Sequence, residues 1–307
     1  MIYTVTLNPS IDYVADTDMF TAGKLNRLTG ELFLPGGKGN NVSAVLKSFG
    51  IESTTLGFIA GFTGEQIDRL LREQGIRTDF IRLAEGNSRI NMKILSRSDG
   101  EETEINGIGP VIGEKEMEEL FHKLQMLGEW DSLILAGSIP PTLPDTVYEQ
   151  LCEAVSNRGV RIVVDAEKKL LERVLRFRPY LIKPNHHELG EMFGVKITTK
   201  EAATHYAKKL QLAGARNVMV SMAADGAVFV AEDGQLYEMD PPEGTVVNSV
   251  GAGDSMVAGF LAAVANGLSI KEAFRQAVFA GSACAFGKGL PTAQSVRELM
   301  EQDRERI

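Results

Sequence analysis

The chain has 307 residues, 44% of them hydrophobic and 24% charged, the proportions of an ordinary globular protein and not of a disordered, collagen-like or coiled-coil one. Lys and Arg number 32 against 41 Asp and Glu, a net charge of −9. A surface of that sign repels phosphate backbones and anionic lipid, which excludes general nucleic-acid or membrane-surface binding; a few local cations still suffice for one anionic small molecule. Residues 1–7 open as a strand, without the basic start and apolar run of a signal peptide. A mixed polar segment, 12–34, ends in Pro35-Gly36-Gly37-Lys38-Gly39 and leads into a helix over 44–49. Apolar runs at 4–7, 54–58, 132–136, 161–164, 180–182 and 218–221 read as buried strands. Amphipathic stretches such as 64–73 and 143–157 separate them. That alternation predicts βαβ units around a mostly parallel sheet flanked by helices. No repeat or linker divides the chain, so one domain, 1–307, is expected. Near the C-terminus, 227–230 and 235–239 read as a hairpin through Glu232-Asp233-Gly234. Helices follow from about Asp254 and Ile270, with a last one near 295–304. The longest apolar stretch, 256–265, is short of the ~18 residues that span a bilayer. Cys152 and Cys284 have neither disulfide-framework nor zinc spacing, and a reducing, cytoplasmic setting is the simplest reading.

Two half-polar segments, about 11–35 and 88–106, stand outside the buried-strand pattern. In the second, Arg89, Asn91 and Lys93 alternate with Ile90, Met92 and Ile94, so the cations share one face and the apolar residues the other. A solvated surface strand has the same pattern. The functional expectation is a separate small β-sheet whose cationic face covers an anion site as a lid.

Three segments carry candidate chemistry. The first is Val246-Val247-Asn248-Ser249-Val250-Gly251-Ala252-Gly253-Asp254, a β-rich run, a Gly-Ala-Gly turn and a helix start. Such a turn presents unpaired backbone N–H groups and the positive helix end to an anion. At its mouth Asp254 would accept a proton from a hydroxyl attacking phosphorus; a plain turn with a helix-capping Asp has the same residues. The second is Gly36-Gly37-Lys38-Gly39 with Asn41, suited to a ligand bearing phosphate or hydroxyls, or to an ordinary turn with a solvated Lys. The third is Lys183-Pro184-Asn185-His186-His187-Glu188, where Asn185 and Glu188 have capping-box spacing; the alternative is that both reach a hydrated Mg²⁺. His122, His186, His187 and His205 lack metal-ligand spacing and read as surface or packing residues. No Walker A motif and no GxGxxG fingerprint occurs, which disfavours a nicotinamide enzyme.

Taken together, Thr6-Leu7-Asn8-Pro9-Ser10-Ile11-Asp12, Gly36-Gly37-Lys38-Gly39 with Asn41, Asn185-x-x-Glu188 and Gly251-Ala252-Gly253-Asp254 resemble the PfkB (ribokinase-like) sugar kinases, in the family's order and over the whole chain. Within that family the opening residues, Arg89-Ile90-Asn91 and Glu104-Ile105-Asn106-Gly107 are most similar to the 1-phosphofructokinases, with tagatose-6-phosphate kinases next. The resemblance implies ATP- and Mg²⁺-dependent phosphorylation of a ketose phosphate by a homodimer joined through the β lid. It implies Asp254 as base, with Gly251, Ala252 and Gly253 as the anion hole. Asp12, Gly36, Gly37, Lys38, Asn41 and Asn91 would hold the acceptor sugar, and Arg89, with Ser138 nearby, its phosphate. Arg27 would face the transferred phosphate. Lys183, Asn185, Ser221, Gly226, Asn248 and Ser249 would line the nucleotide, and Asn185 and Glu188 would order Mg²⁺. The family usually has an apolar residue where Asn40 stands. A non-catalytic sensor on the same scaffold would have no need of Asp254.

Overall fold

A computed structural model describes residues 1–166 and 168–304. The chain begins with β1 (Ile2–Thr6), β2 (Ser10–Thr17), β3 (Leu28–Gly36), α1 (Lys38–Ser48), β4 (Ser53–Ala60), α2 (Gly61–Glu73), β5 (Arg77–Thr78) and β6 (Ile81–Leu83). It continues with β7 (Arg89–Ser96), β8 (Glu102–Asn106), α3 (Glu114–Leu124), β9 (Ser132–Ala136), α4 (Val147–Val155), β10 (Arg161–Asp165), α5 (Lys168–Val174) and β11 (Leu181–Ile182). The last third holds α6 (His186–Phe193), α7 (Lys200–Leu212), β12 (Asn217–Ser221), β13 (Ala227–Val230), β14 (Leu236–Met239), α8 (Ala252–Ala265), α9 (Ile270–Phe286) and α10 (Ala293–Arg304).

The main sheet runs β14-β13-β12-β11-β10-β9-β1-β4-β5, with β6 also on β4. From β12 to β5 every pairing is parallel; β13 and β14 form the antiparallel hairpin at one edge. Helices cover both faces, so the central strands are apolar on both sides. Leu133 and Leu135 of β9 pack into one core with α3, α4 and α7. Ile134 between them packs into the other with α1, α8 and α9. The parallel strands all end at the same side of the sheet, where open α/β sheets receive their ligands.

A second sheet, β3-β2-β7-β8, lies apart from the first. Its β2–β7 pair is parallel and its outer pairs antiparallel. Ile11 of β2 packs with Ile67 and Leu71 of α2, which fixes one face to the main body. The alternation read in 88–94 is present: Asn91 and Lys93 turn inward, and Ile90 and Met92 stay exposed. Ile94, on the same face, is 8% exposed and packs within the chain itself. Apolar side chains also emerge on both faces: Leu32 and Leu34 share the Asp12 face, and Phe33 and Ile105 share the Met92 face.

Three local expectations shift. Helix α1 starts at Lys38, six residues before the expected start, so the Gly-Gly-Lys-Gly segment is the helix entrance itself. Helix α4 covers only 147–155 of 143–157. The β-rich run 246–250 is no strand: Val246, Val247 and Val250 are exposed, and the amides of Val247 and Asn248 both donate to the Ala285 carbonyl. β-propensity there has no neighbouring strand to satisfy it.

Candidate active site

A cleft of about 1370 Å³ opens at the carboxyl ends of β1, β9, β10 and β12 and passes under the second sheet. Its floor is the start of α8. Gly251 is the N-cap, at φ 82°, a conformation that costs most residues strain and glycine nothing. Beyond it the amides of Gly253 and Asp254 find no acceptor among the described residues. They form an open anion cradle at a positive helix end. The turn is braced from behind: Ser255 Oγ donates to the Gly251 carbonyl at 2.8 Å, and Cys284 Sγ to that of Val250 at 3.3 Å.

Asp254 is the third residue of α8 and not its cap. It is 4% exposed and accepts a 2.8 Å hydrogen bond from Asn41 Nδ2. Burial pushes its carboxyl up to about 6, with the nearby Asp165 charge adding to the rise; Lys38, Asn41 and Lys183 oppose it. Asp165 ends β10. Lys183 Nζ lies 3.3 Å from one of its oxygens and Lys38 Nζ 3.5 Å from the other. Burial works against the Asp165 charge, but the two lysines outweigh it and hold its carboxyl below the usual range. The same pairing, against the effect of burial, raises Lys38. A Cβ at Gly253 would stand 2.9 Å from Lys183 Nζ, so a side chain there would have to displace that ammonium.

On the second-sheet wall, Asp12 Oδ1 accepts from Ser10 Oγ at 2.6 Å and from Asn91 Nδ2 at 3.0 Å. Lys93 Nζ is 3.5 Å from Asp12 and 3.6 Å from Glu104. Arg89 Nε donates to the Asn8 carbonyl at 3.0 Å, which aims the rest of the guanidinium into the half-buried wall. Gly36 sits directly against Asp12 and Ser10. Opposite, Asn185 Oδ1 accepts from the amides of His187 and Glu188, and Glu188 Oε2 accepts from the Asn185 amide at 2.8 Å. The capping box is therefore real. Asn40 is buried and fully engaged: its Nδ2 donates to the Gly36 carbonyl at 2.9 Å and its Oδ1 accepts from Thr55 Oγ1 at 2.7 Å. The polar residue does the packing an apolar one would do and also ties the turn to β4.

Asp12, Gly37, Lys38, Asn41, Arg89, Asn91 and Ser138 line this one cleft, together with Lys183, Asn185, Glu188, Ser221, Gly226, Ser249 and residues 251–254. Three expected residues do not. Gly36 packs against Asp12 and Ser10 behind the wall. Arg27 lies exposed at the tip of the second sheet, outside the cleft wall. Asn248 turns its side chain back to accept from the Val250 amide at 2.8 Å. His186 and His187, read as surface or packing residues, line the cleft with rings 3.8 Å apart. Thr6, Asn8, Glu104 and Asn106 also line it without having been singled out for the site, and Asp165 was missed altogether. An acidic residue closing an otherwise apolar parallel strand was the available signal for Asp165, since that strand end faces the ligand side.

The model of the pfkB family carbohydrate kinases matches residues 5–295. The chain belongs to the PfkB family of carbohydrate kinases. Its architecture is the ribokinase-like one that the motifs implied, and its reaction class is phosphoryl transfer to an alcohol group. The kinase is 47% identical over 302 residues to a 1-phosphofructokinase of Bacillus subtilis, covering 98% of each chain. It is 37% identical to a D-tagatose-1-phosphate kinase of Bacillus licheniformis, again with 98% of each covered. It superposes on phosphofructokinase-2 from Escherichia coli in complex with fructose-6-phosphate with a TM-score of 0.91, at 28% identity over 99% of each chain. Among the described residues no helix is long and apolar enough to cross a membrane.

Proposed function

We propose that this kinase moves the γ-phosphoryl group of ATP to a ketose phosphate, with fructose 1-phosphate as the acceptor. The observation that carries the reading is Asp254, buried beneath two unpartnered amides of its own helix start and facing a cleft with cations on the opposite wall. In the reaction the acceptor hydroxyl oxygen bonds to the γ-phosphorus and its proton passes to Asp254. The bond from phosphorus to the β,γ-bridging oxygen breaks, and ADP leaves with that electron pair. The 251–254 turn, through the open amides of Gly253 and Asp254, holds the charge that develops on the transferred oxygens. Asp12, Gly37, Lys38, Asn41 and Asn91 grip the sugar, with Gly36 packed against Asp12 and Ser10 so that the wall can close. Arg89 and Ser138 take the phosphate it already carries, and Lys183, Asn185, Ser221, Gly226 and Ser249 take the nucleotide. Arg27 would enter the site only by movement of the sheet tip or from a second copy.

Mg²⁺ would supply charge neutralisation on the nucleotide phosphates. Glu188 fits a metal-facing role, because only one of its oxygens is engaged by the cap. Asn185 Oδ1 already accepts two amides and fits the cap better. No group of three or more His, Cys, Asp and Glu gathers among the described residues, so the ion would draw most of its ligands from phosphate and water. The second sheet acts as the lid and joins two copies into a homodimer through its exposed apolar side chains. A cytoplasmic setting fits the two unpaired buried cysteines.

Two relatives carry names with the phosphate on C1, which favours a 1-phosphate acceptor with Asp254 at the far end of the sugar. Tagatose 1-phosphate, differing from fructose 1-phosphate in one hydroxyl configuration, is the second reading. Initial rates of ADP release over fructose 1-phosphate, tagatose 1-phosphate, tagatose 6-phosphate and fructose 6-phosphate test it. The highest kcat/KM on fructose 1-phosphate is expected; a preference for either 6-phosphate would overturn the assignment.

A further inference from the structure

Asp165 has no part in the reading above, yet at 2% exposure it is the least exposed charged side chain among the described residues. A buried carboxylate persists only when paired, and this one is paired twice, one oxygen to each lysine. The two lysines arrive from different walls. Lys38 opens α1 beside Asn41, while Lys183 follows β11 and rests against Gly253. Lys183 is 5% exposed, but the Lys38 side chain remains 43% open to the cleft. One lysine would satisfy a purely structural carboxylate. The second contact ties down a flexible stem whose ammonium still faces the ligand space, so its ordering cost is met before a ligand arrives.

We propose that Asp165 is a positioning residue for phosphoryl transfer: it anchors Lys38 on the acceptor side and Lys183 on the nucleotide side, so that their ammonium groups flank the path of the moving phosphoryl group. The inference rests on the assignment of the two sides given above. It makes one carboxylate, which touches neither substrate, matter to both.

Steady-state kinetics on Lys38→Met, Lys183→Met, Asp165→Asn and the double variants, with ATP and fructose 1-phosphate varied in turn, test it. Lys38→Met should raise mainly the acceptor KM, and Lys183→Met mainly the nucleotide KM. Asp165→Asn should raise both about three- to tenfold and lower kcat about ten- to a hundredfold, the scale of a misplaced catalytic geometry. On the Lys183→Met background, adding Asp165→Asn should leave the nucleotide KM unchanged and still raise the acceptor KM. Wild-type KM values for both substrates in Asp165→Asn, or full additivity on both lysine backgrounds, would overturn the proposal. Asp165→Asn strands the buried Lys183 charge; if it does not fold, the neutral Asp165→Asn/Lys183→Met pair carries the test against Lys183→Met alone. A double variant that also fails to fold assigns Asp165 to the fold and ends the proposal. Should the wild type not turn over fructose 1-phosphate, only the acceptor assignment fails. Calorimetric titration with ATP alone then reads the Lys183 arm, and an Asp165→Asn variant that binds ATP as tightly as wild type refutes it.

Discussion

Asp254 keeps its carboxylate beside that of Asp165 under nearly complete burial, an arrangement that is poor for stability and good for proton transfer near neutral pH. Asp254→Asn preserves shape and the hydrogen bond from Asn41, and should cut kcat by about 10²–10⁴-fold; near-wild-type turnover in a folded variant would remove Asp254 from the base role. The pH signs are definite. The folded carboxyl at about 6 exceeds the ordinary 3.8, so between those values the native state binds the extra proton. Its contribution to stability therefore falls as pH rises through that window. Asp254→Asn should melt higher than wild type at pH 8 and lose that advantage near pH 4. Activity has the opposite slope: kcat/KM should fall as pH drops through about 6, as the base is protonated. Because a sugar phosphate also takes up a proton near there, carboxyl carbon-13 NMR of Asp254 identifies which group titrates. Arg89 sits in a wall whose burial lowers its pKa without discharging it. Arg89→Ala should lower kcat/KM for the sugar phosphate about ten- to a hundredfold, the worth of one or two charge-assisted hydrogen bonds at ~1.5–3 kcal/mol each. The effect on an unphosphorylated ketose should be much smaller; equal losses on both would place Arg89 elsewhere.

At the scale of elements, α6 serves two ends at once. Its capping box occupies Asn185 and one oxygen of Glu188, and the same first turn lines the cleft. Asn185→Ala should cost about 1 kcal/mol in unfolding free energy with little change in Mg²⁺ dependence. Glu188→Gln should keep most of the stability and shift the Mg²⁺ titration of activity to higher concentration; an unchanged titration would confine Glu188 to the cap. The central strands, the terminal hairpin and the facing of Arg89, Asn91 and Lys93 were legible in the sequence, because periods of two and buried apolar runs are local signals. The glycine turn before α8 was legible for the same reason, as its residues are contiguous. What escaped was set by partners far along the chain. The run 246–250 has strand composition but ends on Ala285 instead of another strand, and Asp165 acquires its meaning only from Lys38 and Lys183. Asn40 shows that a departure from a family pattern can be resolved by one neighbour, Thr55.

For the whole molecule, the second sheet is a layer from both faces of which apolar side chains emerge. If a second copy covers the Ile90 and Met92 face, Met92→Glu should give a monomer in sedimentation at low concentration with activity that depends on protein concentration. A dimer that survives the substitution would move the interface to the Leu32 and Leu34 face. The bond between Asn41 and Asp254 has a further implication. It closes across 213 residues, and the strand ends that build the cleft are gathered from both halves of the sequence. A chain emerging from the ribosome can complete β1, β4 and β9 and yet hold no working cleft until α8 is released and docked against α1. Non-local closures of this kind are slow because the loop entropy comes due before the contact rewards it. On refolding from denaturant, regain of turnover should therefore lag behind regain of far-ultraviolet circular dichroism. Amide exchange in α8 and α1 should become protected in one common phase, the phase in which activity returns.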